Sequence, residues 1–287
     1  MKWLIRISMV VLTLLLVGAG LVYWSAWRTE NPVGFQLARA SANGDAPLSV
    51  AIWYPTRARP WPTVLIGPVL MDLAKDAPVE GQGLPLVVIS HGNGGGPQSH
   101  ADLALSLASA GYVVVATLHR GDNFTDLSRA GSPTLFSDRV SDLNAAVEYM
   151  LSRWPEAKRV DGTRVGAFGL SAGGFTVLAA VVAAPGLGFA FGPQGLAGID
   201  VPVQLWSGEC DQLVPYETNA KLIRQGLGSK VDFHPVPGAG HASFLTPCRI
   251  LRPPALCADP DGFDREQFHQ SMNKSVVEFF NTNLRQP

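Results

Sequence analysis

The stretch Gly169-Leu170-Ser171-Ala172-Gly173 constrains this chain more than any other. It lies between a strand-like run, Arg164-Val165-Gly166-Ala167-Phe168, and a helix-like run from Phe175 to Val182. Glycine on each side of a serine at a strand-to-helix junction marks a sharp turn, because side chains there would collide where the two backbones approach. The turn predicts an exposed Ser171 hydroxyl at a helix N-terminus, where free N–H groups and the helix dipole favour developing negative charge.

Such a turn needs layered strands and helices around it, and the chain from Pro85 onward reads that way. Residues 85–90 form an unbroken apolar run, the pattern of a strand buried on both faces. Helical spacing or strand-like runs then alternate: helix 99–110, strand 112–118, helix 138–154, strand 164–169, helix 172–184, strand 201–207, helix 218–226 and strand 231–236. An amphipathic helix over 264–284 closes the chain. This alternation predicts the α/β class, with a mostly parallel central sheet and helices on both faces. Active residues are then expected in loops at the carboxyl ends of the strands. Ahead of this region, residues 35–40 and 48–55 alternate like a hairpin connected through Asn43-Gly44-Asp45. The Pro- and Gly-containing stretch 55–84 reads as a long loop with one short helical piece over 71–75. No linker splits the chain after residue 34, so residues 34–287 are expected to form one domain.

Residues 1–28 stand apart. Trp3 to Trp27 is apolar except for Arg6 and small hydroxyl residues, and is long enough for the roughly 20 residues that cross a bilayer. Lys2 and Arg6 near its start favour keeping that end in the cytoplasm and exporting the rest. The segment is therefore expected to be a signal anchor facing the periplasm or extracellular side. If Val17-Gly18-Ala19 is a cleavage site, it is instead a removed signal peptide and the protein is secreted. A formal net charge of −1 and the lack of a basic stripe exclude nucleic acid as an expected partner. The three cysteines, Cys210, Cys248 and Cys257, lack the His/Cys spacing of a zinc site. Cys248 and Cys257 are expected to pair in an oxidising compartment, leaving Cys210 buried beside a carboxylate loop.

A serine nucleophile needs a base, and the base an orienting acid. Among six histidines, His241 stands in a small-residue loop, Pro237 to Phe244, directly after the strand at 231–236. His234 lies within that strand and His269 is expected on the surface of the last helix. The acid comes from Gly208-Glu209-Cys210-Asp211, after the strand at 201–207; Asp211 is the first candidate and Glu209 the competitor. Ser171, Asp211, His241 is the chain order of α/β-hydrolases. Ser90-His91-Gly92-Asn93-Gly94-Gly95-Gly96 follows the strand at 85–90, where that fold places one donor of an oxyanion hole. Asn93 is the expected donor, with Gly94 next, and the Ala172 N–H is the second donor. His91 is expected to prop this loop through hydrogen bonds. No Gly-Lys-Ser/Thr follows, which disfavours a nucleotide-binding loop.

With Gly240-His241, these motifs resemble the dienelactone hydrolase-like branch of the α/β-hydrolases, including relatives of platelet-activating-factor acetylhydrolase. The likeness spans nearly all of Phe35 to Leu284, including His119-Arg120-Gly121-Asp122-Asn123 and the Cys248 to Arg265 tail. It implies an α/β-hydrolase fold without a large cap domain, and a serine esterase or lipase-like activity on small-molecule or lipid esters without metal or organic cofactor. Dienelactone hydrolases use cysteine where Ser171 stands, so a general esterase is implied rather than that lactone activity. A peptidase or thioesterase on the same residues, or a silent hydrolase fold that only binds, remain the alternatives. The short stretch between Ser171 and Asp211 leaves no room for a multi-helix lid. The cleft walls are then expected from 55–84, 120–137 and 244–263, with Phe124, Leu135, Phe136, Phe244 and Leu245 as apolar surface.

Overall fold

The computed structural model describes residues 2–40, 47–65, 69–177, 181–191, 195–248 and 254–284. A helix, α1 (Lys2–Ser25), precedes the strands β1 (Val33–Ala40), β2 (Leu48–Pro55), β3 (Trp61–Val64) and β4 (Leu70–Lys75). Then come β5 (Leu84–Ser90), α2 (Ala101–Ser109), β6 (Val113–Thr117), α3 (Leu135–Glu148) and β7 (Val160–Leu170). The chain continues through α4 (Ala172–Thr176), β8 (Val181–Ala183), β9 (Val203–Gly208), α5 (Ala220–Leu227), β10 (Val231–Val236) and α6 (Arg265–Leu284).

The strands form one sheet in the order β10-β9-β8-β7-β5-β6-β2-β1-β4-β3. From β6 to β10 all pairings are parallel, while β2 runs antiparallel to β6 and β1. β5 is buried along its whole length, as its unbroken apolar run predicts. One core layer packs α2 and α6 on the sheet through Leu103, Leu107, Met272, Val276 and Phe280; the opposite layer packs α3 through Leu143 and Ala146, with Met150 just after it. After β5 the chain steps to β6 on one side, and after β7 to β8 on the other. The loops after β5 and β7 therefore diverge from adjacent strands and open a crevice at their carboxyl ends.

Several expectations change. The stretch over 71–75 is not helical but the strand β4, which pairs with β3 as a hairpin within the supposed loop 55–84. Met71 and Leu73 are buried while Leu70 and Asp72 are half-buried, a period-2 pattern that the Pro and Gly content of the region masks. The helix expected over 172–184 ends early. Val181–Ala183 is the short strand β8 between β7 and β9, where three small or β-branched residues are buried on both faces. The β1–β2 hairpin is present, and its expected turn at Asn43-Gly44-Asp45 lies outside the described residues. Cys248 and Cys257 are bonded, but the free Cys210 is exposed rather than buried.

The Cys248–Cys257 bridge closes a loop with a sequence separation of 9. In the chain-entropy view such a link raises unfolding free energy by about 2–3 kcal/mol. Cys257→Ser should lower the urea midpoint correspondingly with the m-value of the oxidised protein retained; an unchanged midpoint would show that the loop is already fixed without it.

Candidate active site

Ser171 caps β7 and begins α4 with φ 55 and ψ −118, a left-handed conformation that a non-glycine residue adopts only when its surroundings enforce it. The enforcement is visible. The Ser171 N–H donates to the Ala183 carbonyl at 3.1 Å, and its carbonyl accepts from Gly186 N–H at 3.1 Å and Phe175 N–H at 3.2 Å. A Cβ on Gly173 would lie 2.1 Å from the Ser90 carbonyl oxygen, and one on Gly169 would lie 2.2 Å from that of Gly173. The two glycines of the pentapeptide are thus fixed by backbone contact. α4 is only five residues long, so free N–H groups rather than a summed helix dipole are what the turn offers an anion.

The glycine loop after β5 lies against this turn: a Cβ on Gly92 would come within 3.5 Å of the Ser171 Cβ. His91 props the loop as expected. Its Nδ1 donates to the Gly92 carbonyl at 2.6 Å and its Nε2 accepts the His119 N–H at 3.2 Å, a pattern that fixes a neutral tautomer. Asp122 accepts from the Asn93 side-chain amide at 2.8 Å and from the Gly94 N–H at 2.9 Å. The Gly94 N–H is thereby committed to Asp122.

The loops after β9 and β10 are joined by backbone. Glu209 N–H donates to Val236 and Cys210 N–H to Ala239, and a Cβ on Gly208 would meet the Ala239 carbonyl oxygen at 2.4 Å. This closeness brings Asp211 and His241 together. Asp211 Oδ2 lies 2.7 Å from His241 Nδ1, while its Oδ1 accepts from the Leu213 and Val214 N–H groups at 3.0 and 2.8 Å. The carboxylate is buried, so both oxygens are used and their direction is set. Glu209 is exposed, whereas the buried Asp211 carries the contact to the imidazole. With Nδ1 donating to the carboxylate, the lone pair of His241 is left on Nε2.

A buried polar network beneath these loops was not foreseen. Arg139 of α3 is 1% exposed; its Nη1 donates to Asp122 Oδ2 at 2.5 Å and its Nε to Thr176 Oγ1 at 3.2 Å. Its Nη2 reaches the His91 carbonyl, and Ser90 Oγ at 3.1 Å. Beside it, Asp142 binds Arg120 at 2.7 Å and His119 at 3.3 Å. Arg139 and Asp142 fall on the buried stripe with Leu135, Leu143 and Ala146. Their position on the helix puts them in the core, which their charge conceals in the sequence. His269 is likewise buried, not on the surface. It bridges Asp102 at 2.7 Å and the Ser243 carbonyl at 2.9 Å, clamping the turn that carries His241. Burial pushes the Asp102 carboxyl up, but the charge and hydrogen bond of His269, with Thr246 and Asn273, outweigh it and hold it well below the usual range.

The expected cleft walls change in part. Leu135 and Phe244 are buried, Phe244 against Phe268, and Leu245 packs on the same core. The stretch 55–84 instead supplies the far edge of the sheet. Phe124 and Leu127 are exposed and touch the glycine loop at Gly96 and Gly94. Phe136, Phe175 and Phe191 pack in series beside α4, edge-to-face at 4.7 Å and tilted at 4.5 Å between ring centres. Among the described residues no helical cap stands between β8 and β9.

Comparison with known proteins agrees with this architecture. The model of the prolyl oligopeptidase family matches residues 99–192, and that of platelet-activating factor acetylhydrolase, isoform II, matches residues 61–136. A ferulic acid esterase from Streptomyces cinnamoneus superposes with a TM-score of 0.68 at 22% identity, covering 91% of this chain and 93% of that one. The likeness over nearly the whole chain shows an α/β-hydrolase fold. The match over residues 61–136 agrees with the resemblance to platelet-activating-factor acetylhydrolase relatives. No curated protein matches the sequence.

The buried histidines under the site should make the fold less stable in acid. Burial first, then neighbouring His119 and Arg139, hold His91 well below its usual pKa; burial, Arg139 and Arg120 do the same to His119. Below about pH 6.5 the unfolded chain takes up protons at these rings that the folded protein refuses, so stability falls as pH drops. Each ring contributes up to about 1.4 kcal/mol per pH unit. Urea unfolding at pH 7.5 and 5.5 should show a lower midpoint at the acid end; equal midpoints would count against neutral buried rings.

Proposed function

We propose that this chain is a serine hydrolase that cleaves carboxylic esters through an acyl-enzyme. The observation that carries the reading is the Asp211–His241 contact at 2.7 Å, at the same end of the sheet as the Ser171 turn and the glycine loop against it. His241 Nε2 takes the Ser171 hydroxyl proton as Oγ attacks the ester carbonyl carbon. Asp211 holds the Nδ1–H tautomer and stabilises the imidazolium. The N–H groups of Asn93 and Ala172 hold the oxyanion of the tetrahedral intermediate. His241 then gives its proton to the departing alkoxide, releasing the alcohol. Water attacks the acyl-enzyme by the same steps in reverse roles, giving the acid and restoring Ser171. None of these steps draws on a metal or organic cofactor.

The α1 helix supports anchoring of this enzyme. Ile5–Ser25 has a mean hydropathy of 2.3 and no residue of that window is buried against the domain. We read it as an uncleaved signal anchor that holds the catalytic domain on the periplasmic or extracellular side, with cleavage and secretion as the alternative. The match to the prolyl oligopeptidase family favours amide hydrolysis as a second reading. A matched pair of p-nitrophenyl ester and p-nitroanilide substrates distinguishes them.

Ser171→Ala and His241→Ala should each abolish ester turnover apart from a residue about 10³–10⁴-fold over water, with an unchanged circular dichroism spectrum. Asp211→Asn should be nearly as damaging and Glu209→Gln mild. The reverse order of those two would reassign the acid, and a Ser171→Ala protein of full activity would remove the proposal.

The open surroundings also set acyl length. With Phe124 and Leu127 at the rim and no lid among the described residues, a long chain finds little surface to bury beyond its first carbons, each worth about 0.8 kcal/mol where it is buried. Acetyl to butyryl esters should therefore give the highest kcat/KM, without a jump at the micellar threshold. A maximum at ten carbons or more would reveal a receiving surface that the described residues do not present.

A further inference from the structure

The chain enters the domain at the opposite end of the sheet from its candidate active site. Three residues after α1, Arg28 binds Asp72 at 2.7 Å; just before it, the Trp27 N–H donates to the Leu70 carbonyl and its carbonyl accepts from Asp72 N–H, both at 2.9 Å. Asn31 then donates to Ser109 through its backbone N–H (3.1 Å to Oγ) and its side chain (2.9 Å to the carbonyl). Ser109 ends α2, and the chain turns there into the first residue of β6, Val113. Asn31 is therefore fixed at the amino ends of the parallel strands. Ser171, Asp211, His241 and the Ser90–Gly96 loop all follow carboxyl ends.

Register gives the separation. Val113 pairs with Leu86 and Leu86 with Val165, so the tether lies near the level of Val165. Six residues of strand separate that level from Ser171, about 20 Å at ~3.3 Å per residue. The tether has no slack with which to turn the domain over, because Trp27, Arg28 and Asn31 are each bonded to β4 or α2. A second feature marks the same end as membrane-facing. Trp24 at the end of α1, and Trp61 and Val64 on the β3–β4 hairpin that pairs with Trp27, are exposed, and the Arg59 guanidinium lies 5.0 Å over the Trp61 ring. Exposed tryptophan with arginine beside a membrane helix is the composition of an interfacial belt.

We propose that the active site faces away from the bilayer and takes water-soluble esters from the surrounding compartment, not lipids resident in the membrane that holds it. This rests on the readings of α1 as an anchor and of the site as an ester hydrolase. An ester bond at headgroup depth lies on the wrong side of the domain, and a lipid reaches Ser171 only after its acyl chains leave the bilayer.

Cys210, exposed beside Asp211, is the free thiol with which to measure orientation. The full chain is reconstituted in phosphatidylcholine vesicles and labelled there with an environment-insensitive fluorophore. A second sample carries Val64→Cys in a Cys210→Ser background. Headgroup-nitroxide lipids should quench the label at position 64 several-fold more than the label at 210. In the same vesicles, p-nitrophenyl butyrate should be hydrolysed while fatty acid release from phosphatidylcholine stays at the rate of protein-free vesicles. Equal quenching at the two positions, or fatty acid release within tenfold of the soluble ester rate, overturns the proposal. Chain that does not sediment with the vesicles sinks the anchor reading and the proposal with it. The expected quenching without any ester hydrolysis leaves the orientation standing and removes the esterase reading and the substrate class built on it.

Discussion

A single guanidinium holds the candidate site together. Arg139 reaches from α3 to Thr176 on the short helix after Ser171, to the backbone and Ser90 hydroxyl of the glycine loop, and to Asp122. The other oxygen of Asp122 grips Asn93 and Gly94. Two segments that diverge from adjacent strands are thereby tied to one charged group between them. Taking that pair out of water is costly, and an apolar filling of the same volume could match it in stability. What an apolar filling cannot supply is direction. In the proposed reaction the loop's N–H groups meet an oxyanion, which needs a closely fixed backbone, and fixed dipoles do this where packing alone leaves rotational freedom.

The brevity of α4 makes that fixation more necessary. A long helix after the serine would carry its turn as part of a rigid rod. Here five residues of helix are followed by a strand, so the turn is held from outside. β8 supplies Ala183 as acceptor for the Ser171 N–H, Gly186 donates to the Ser171 carbonyl, and the Gly173 backbone lies flat against the Ser90 carbonyl. The strained φ of Ser171 is thus paid in several hydrogen bonds and close contacts rather than in helix length.

The parts of this arrangement that sequence made legible are those with a local physical signature. The turn at Gly169–Gly173 announces itself because a Cβ at either glycine would lie 2.1 or 2.2 Å from a backbone oxygen. The β5 strand is visible because burial on both faces demands an unbroken apolar run. Asp211 and His241 could be proposed from their places after strands, and the structure brings them within hydrogen-bond distance. What stayed hidden depends on partners distant in sequence. Arg139 and His269 look like surface residues until Asp122, Asp102 and the Ser243 carbonyl are placed beside them, the Asp102–His269 contact joining residues 167 positions apart. β8 reads as helix in the sequence because Val181, Val182 and Ala183 continue a run of residues equally at home in either element when buried. Its three-residue length leaves too little periodicity to decide.

Strand direction links the two ends of the molecule. β1 is antiparallel to β2, and β2 to β6, so β1 runs with the central strands and starts at their amino ends. Any segment placed directly before β1 must then leave the domain from that end. The catalytic loops of a parallel sheet lie at the other end, where strands hand over to helices and N–H groups are free. An anchor ahead of the first strand and chemistry after the central ones are therefore kept apart by the length of a strand, whatever side chains occupy either place. The residues of this chain add only the rigidity: by bonding Trp27 to β4 and Asn31 to α2, they convert a separation required by topology into a fixed orientation of the whole domain.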